Sequence, residues 1–257
     1  TFTGSTPTGR RVMECGAATV KKVFLELGGK SAAIGLGDAD LAAVLPGGAA
    51  TCLHAGQGCA ITTRWLVPRA RYTDALEILR AAFGAWKYGD PEDPANLQGP
   101  QISARQQERV LAAIERGRAE GARLLVGGGR PARRGFYVEP TLFVDVDPKS
   151  TIAQEEIFGP VCCVIPYEDD EQAVRIANDS IYGLSGSVYS PDEARALGVA
   201  RRIRAGTISV NGGQWFHVDT PFGGYRQSGV GRENGEQGFA EHLQTKVIAL
   251  PGGTASG

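Results

Sequence analysis

The 257 residues are 42% hydrophobic and 21% charged, the profile of a globular chain long enough to bury one large or two modest cores. Acidic and basic residues nearly cancel at 28 against 27, which removes any electrostatic case for nucleic acid or an anionic membrane, and no apolar run is long enough to span a bilayer. Five cysteines without a CxxC pair, beside three histidines, exclude a disulfide framework and a metal site and point to a reducing cytoplasm.

In chain order, TFTGST reads like a strand end running into a loop, as if the chain began inside a domain. Residues 10–20 have helical spacing, and VFLEL (23–27) is a short β run ending at Gly28-Gly29. A second strand is expected at 32–36, then a helix started by Asp38-Ala39-Asp40 and interrupted by Pro46-Gly47-Gly48. RWLVP (64–68) reads as a strand. Residues 70–86 form an amphipathic helix, with Tyr72, Leu76, Leu79 and Phe83 on one face. A Pro/Asp/Gly loop (89–100) leads to a polar helix at 103–120, the strand RLLVG (123–127) and an exposed turn over 127–135. Segments 136–146, 159–167, 183–190 and 206–211 are β-rich, with helices at 169–179 and 191–204 between the last three. Alternation on this scale predicts an α/β fold around a parallel or mixed sheet.

The familiar nucleotide and hydrolase fingerprints are missing: no GxGxxG follows a strand, and no GxxxxGK[ST] or GxSxG occurs. Small islands carry the chemistry instead. In LHAGQGCAITTR (53–64), Gly56, Gly58 and Ala60 leave space around Cys59, which suits a thiol that something must approach; a structural thiol is usually packed among larger aliphatics. ELGGKS (26–31) sets a glutamate at the end of an apolar strand, either a base raised by burial or an exposed strand end. QEEIFGPV (154–161) pairs two carboxylates with an aromatic and a Gly-Pro turn, and PFGGYRQSGVGRENG (221–235) is too patterned for a linker. FTGSTPTG (2–9) looks like a loop meeting a phosphate at a helix N-terminus.

Taken in order, FTGST, ELGGKS, GQGC, EEIFGPV, NDSIYGL and PFGGYRQSGVGRE resemble the aldehyde dehydrogenase superfamily, from Phe2 to about Lys246, and cover the C-terminal half of such an enzyme. The resemblance implies an aldehyde dehydrogenase-like catalytic domain carrying the last elements of a Rossmann-like cofactor domain. It divides the chain into residues 1–29 (end of the dinucleotide-binding domain), 30–235 (catalytic domain) and 236–257 (return segment and oligomerisation strand). It makes Cys59 the nucleophile, forming a thiohemiacetal and then a thioester, and Glu26 the general base that activates water. Gly4, Ser5, Leu27, Glu156 and Phe158 match cofactor contacts for NAD or NADP, with Ser5 near the pyrophosphate, Glu156 on the nicotinamide ribose and Phe158 beside the ring. Leu53, Phe216 and Phe222 match the tunnel for a small-molecule aldehyde, and the aromatics favour an apolar one. KVIAL (246–250) is expected to pair with another subunit in a homodimer or homotetramer. Alternatives are a CoA-acylating relative, against which Glu26 argues, and a non-catalytic truncated relative, since the 257 residues alone are expected to be inactive. The sequence departs from the family at Pro46-Gly47-Gly48, at Ala32 where proline often follows GGKS, at Arg226 for lysine and at Gln244 for glutamate.

Overall fold

The computed structural model describes residues 1–214 and 216–251. Seven strands form the main sheet: β3 (Ser31–Gly35), β4 (Thr62–Pro68), β5 (Arg123–Val126), β6 (Thr141–Val144), β7 (Val161–Tyr167), β8 (Ser185–Tyr189) and β9 (Thr207–Val210). Their spatial order is β5-β6-β7-β4-β3-β8-β9, parallel throughout except for the antiparallel β5–β6 pair at one edge. Parallel strands buried on both faces read as continuous apolar runs, and β7 (VCCVIPY) is of that kind.

Alternation along β7 sends Cys162 and Val164 to one face and Cys163 and Ile165 to the other. On the first face they meet Leu45 together with Leu76, Leu79 and Phe83 of α3 (Tyr72–Gly84). On the second they meet Val110 and Ile114 of α4 (Ala104–Ala119), Val174 of α6 (Asp170–Asn178) and Val199 of α7 (Glu193–Ala200). Full burial of one such side chain is worth about 1.5–3 kcal/mol. Helix starts follow the expected chemistry. Asp40, Ser103, Asp169 and Asp192 each accept a backbone N–H from the first turn of the helix they open.

Arg64, on the central strand β4, is 1% exposed. Its guanidinium donates to Lys30 O at 2.9 Å and to Ile176 O and Ala177 O at 3.0 Å, so it caps the C-terminal turn of α6 from inside the protein.

A second sheet of three very short strands stands beside the first. In it β2 (Leu25–Glu26) lies between β1 (Phe2–Thr3), parallel, and β10 (Gly229–Val230), antiparallel. Gly229, at φ 144, lets these backbones approach, because a Cβ there would overlap Leu25 O. The segment around 229 therefore packs on the start of the chain, across the expected boundary at 29/30.

Some elements differ from expectation. The first helix, α1, is Thr6–Ala17, displaced from 10–20 because Pro7 sits in its first turn, where a missing N–H costs nothing. Within 136–146 only Thr141–Val144 is strand. The segment at Pro46-Gly47-Gly48 opens a 3-10 stretch within Leu45–Gly56, broken by a kink at residues 53–55, after the four-residue helix α2 (Leu41–Val44). Residues 246–250 hold no strand within the single chain, where Val247 and Ile248 are 87% and 75% exposed.

Candidate active site

Glu26, Cys59 and Glu156 come from three distant segments and meet where the small sheet abuts the large one. The glycines of ELGGKS explain how. A Cβ on Gly28 would overlap Glu156 Oε2, and a Cβ on Gly29 would overlap Cys59 O. Two successive glycines therefore let a carboxylate and the cysteine backbone close on one strand end. The Gly29 N–H donates to Glu156 Oε1 at 2.9 Å, and Ser228 Oγ–H donates to Gly28 O at 2.6 Å.

Glu26 is 2% exposed, and its Oε2 is buried without a hydrogen-bond partner among the described residues. Burial lifts its carboxyl to about 7; the Cys59 thiol, hydrogen-bonded to it, pulls it back, while the Glu233 and Glu156 charges add to the rise. Cys59 is half-buried, and burial first, then the hydrogen bond and charge of Glu26 and the charge of Glu156, push its thiol up to about 12. A hydrogen bond with the Ala60 backbone acts the other way. The resting sulfur is thus a thiol, and Glu26, which interacts with it, is a carboxyl poised to act as a base near neutral pH. Glu156 is also raised by burial and held back by the Gly29 N–H and by the positive charges of Lys30 and Arg109.

Cys59 forms part of the wall of two cavities. One, of about 350 Å³, is lined by Gly4, Ser5, Leu27, Glu156 and Phe158, so the five expected cofactor residues converge there. Ser5 N-caps α1 without a side-chain bond to its backbone, its hydroxyl meeting Thr8 Oγ1 instead, so first-turn N–H groups remain for an anion. Phe158 adopts φ 56 and is 38% exposed; Gln106 Nε2 donates to its carbonyl at 2.9 Å and to Ile157 O at 3.1 Å, which holds that conformation.

The other cavity, about 510 Å³, is lined by Leu53 and by residues such as Ala60, Ile61, Thr62, Ser185 and Ser187. No charged side chain is among its described lining residues. Phe216 and Phe222, expected in the tunnel, pack edge to face with centroids 6.2 Å apart, and neither is among the described residues lining this cavity. Phe222 is 5% exposed and bridges to Glu233, while Phe216 is 60% exposed.

Sequence reasoning missed Gln57, Gln106 and Arg109, which line the cavity beside Glu156. The two on α4 look like solvated positions of a polar helix, and only the packing of that helix against the EEIFGP turn brings them in. The turn before Cys59 is strained: His54, Ala55 and Gly56 all have left-handed φ (52, 56 and 71), which costs roughly 1–2 kcal/mol for each residue that carries a Cβ. A Cβ at Gly56 would overlap Gly159, so this turn and the turn after Phe158 lock together.

Comparison with known proteins identifies relatives of the whole chain. The profile of the Aldehyde dehydrogenase family matches residues 1–248. Geranial dehydrogenase of Castellaniella defragrans is 46% identical over 255 residues, 98% of this chain and 52% of that protein. Betaine aldehyde dehydrogenase of Rhizobium etli is 43% identical over 251 residues, 96% of this chain and 52% of that one. The Mycobacterium tuberculosis aldehyde dehydrogenase complexed with NAD+ superposes with a TM-score of 0.94 at 48% identity, covering 98% of this chain and 53% of that one. A mutant of aldehyde dehydrogenase C from Pseudomonas syringae, complexed with NAD+ and octanal, gives 0.93 at 44% identity, covering 96% and 51%. The chain spans about half the length of the relatives it matches.

Proposed function

The chain belongs to the aldehyde dehydrogenase family, and we propose that in the whole protein it carries the catalytic thiol and base that oxidise an aldehyde to a carboxylic acid with NAD(P)+. The observation that carries this reading is the position of Cys59, on the wall shared by a polar and an uncharged cavity with its thiol against Glu26.

The residues of the polar cavity fit a dinucleotide. Gly28 leaves room for the Glu156 carboxylate, which lines the cavity where it can meet a ribose, Phe158 presents a half-exposed ring, and Ser5 with the first turn of α1 suits a pyrophosphate. When bound, NAD(P)+ supplies the hydride acceptor. Glu26 takes the Cys59 proton as sulfur attacks the carbonyl carbon, and the backbone N–H near Cys59 meets the oxygen as it gains charge. After that proton has passed to solvent and the acyl group is held on sulfur as a thioester, Glu26 takes a proton from water, which attacks the acyl carbon; Glu26 then returns the proton to the departing sulfur, releasing the acid and the free thiol. A buried carboxyl near 7 supports this hydrolytic role over transfer to CoA.

Leu53 faces the aldehyde side, with Phe216 and Phe222 read as the outer part of the same path. The exposed KVIAL tail supports pairing with a second copy in a homodimer or homotetramer. Among the described residues no helix is long and apolar enough to cross a membrane, and a working thiolate fits a reducing cytoplasm. The 257 residues taken alone are read as one wall of the site, without sustained turnover of their own. The test is Cys59→Ala in the whole protein. Aldehyde-dependent NADH formation should fall at least ~10⁴-fold, because no other side chain replaces the covalent nucleophile. Mass spectrometry of the unaltered enzyme during turnover should find the acyl adduct on the peptide containing Cys59. Near-normal turnover by the variant would overturn the reading.

A further inference from the structure

The left-handed run His54–Ala55–Gly56 ends three residues before Cys59, and strain of this kind persists only where the surroundings over-determine it. Two glutamine side chains do so. Gln101, 2% exposed, donates from Nε2 to Ala55 O at 2.7 Å. Gln57 donates from Nε2 to His54 O at 3.0 Å and to Pro100 O at 3.4 Å, and its Oε1 accepts the Ile102 N–H at 2.9 Å. The loop bearing Gln101 has its own footing, because the Gln101 N–H donates to Phe136 O at 2.9 Å. Gln101 Oε1 has no partner among the described residues, so what this amide contributes is the donor aimed at the strained turn. Beyond Cys59 the chain is fixed separately, with Gly29 against its carbonyl and Ser185 Oγ–H donating to Ala60 O at 2.7 Å. The cysteine is therefore held between two anchors, and the upstream one is built from amides.

We propose that Gln101 and Gln57 are positioning residues that lock this turn and thereby keep the Cys59 thiol against Glu26. The proposal rests on the reading of Cys59 as the nucleophile, but it makes a claim about geometry that needs neither cofactor nor aldehyde to test. Released from the amides, His54 and Ala55 relax to ordinary backbone conformations, and the thiol swings off the carboxylate that accepts its proton. The ionisable groups facing Glu26 are Cys59, Glu156 and Glu233.

The experiment is alkylation of the protein by iodoacetamide, followed by peptide mass spectrometry from pH 6 to 9. Sulfur displaces iodide, forming the S–C bond, and the thiol proton leaves through Glu26 to solvent. Cys15, exposed on α1, is the internal standard. In the unaltered protein the Cys59 rate should rise as Glu26 ionises through about 7. In Gln101→Met, which keeps the shape and removes the donor, the Cys59:Cys15 ratio should fall about tenfold and lose that step, since base assistance is commonly worth a hundredfold or more. Gln57→Glu keeps the acceptor for Ile102 and loses both donated bonds, so it should fall in the same direction, and it carries the test if Gln101→Met does not fold. An unchanged ratio and pH profile in the folded variants would overturn the proposal. So would a change shared equally by Cys15, which marks general loosening. Full dehydrogenase turnover after stoichiometric alkylation of Cys59 would instead overturn the function assigned to the thiol.

Discussion

The two sheets are built on opposite terms. In the large one, strands of four to seven residues alternate apolar side chains onto helices on both faces, and Cys162 and Cys163 are sealed as small hydrophobes. In the small one, strands of two residues hold a buried carboxylate and depend on close backbone contacts that only glycine permits. The first is arranged for stability. The second accepts desolvation at Glu26, and the adjoining turn accepts strain, so that a thiol and its base can meet. The contrast shows where this fold spends conformational freedom: the large sheet supplies a rigid platform, and the reactive groups occupy the less favourable seam beside it.

The sharpest way to break that contrast is Glu26→Gln. Because the thiol lies against Glu26, turnover by the whole protein should drop roughly 10²–10⁴-fold, and the initial burst of reduced cofactor should slow as well. A normal burst followed by slow turnover would confine Glu26 to activating water. From the opposite side, Phe83→Ala in the core under α3 should cost about 3–5 kcal/mol in denaturant unfolding while leaving activity per folded molecule unchanged. An equal loss of kcat would mean that the platform and the seam are not separable.

The smallest effect concerns pH. The folded Glu26 carboxyl titrates near 7, above its value of 4.5 in an unfolded chain, so its contribution to stability is present below 4.5 and is lost as pH rises through 7. Glu26→Gln has no such loss. Its melting temperature should therefore gain on the unaltered protein between pH 5 and pH 8, by about 5–10 °C, since two pH units below 7 correspond to about 3 kcal/mol and a chain of this size shifts roughly 2–4 °C per kcal/mol. A gap that is constant with pH would show that Glu26 is not the source of the cost.

The platform was legible in the sequence because long buried strands announce themselves. VCCVIPY and TTRWLVP are apolar runs bounded by turn residues, and capped helices follow Asp169 and Asp192. Edges were less so. Pro7 moved a helix start forward, and Pro140 kept 136–140 out of the strand that follows it. KVIAL has strand composition and no strand, since pairing needs an edge that composition does not supply. In the site, Glu26, Cys59 and Glu156 were singled out through motifs in register and lie together in the fold, and the glycines of ELGGKS acquired a reason only when their neighbours across the fold were known. Gln101 and Gln106 left no local signal at all. A buried glutamine that donates to a carbonyl 46 or 51 positions away has the same sequence appearance as one facing water.

Arg64 sets a condition on how the molecule assembles. Its three acceptors are the carbonyl of Lys30 and the carbonyls of Ile176 and Ala177, which lie 112 and 113 positions further along the chain. Any intermediate with β3 and β4 paired but α6 undocked would leave a guanidinium in the sheet with most of its donors unmet, a state that costs several kcal/mol. Arg64 thus ties the pairing of β3 and β4 to the docking of α6, linking stretches more than a hundred residues apart in the native state.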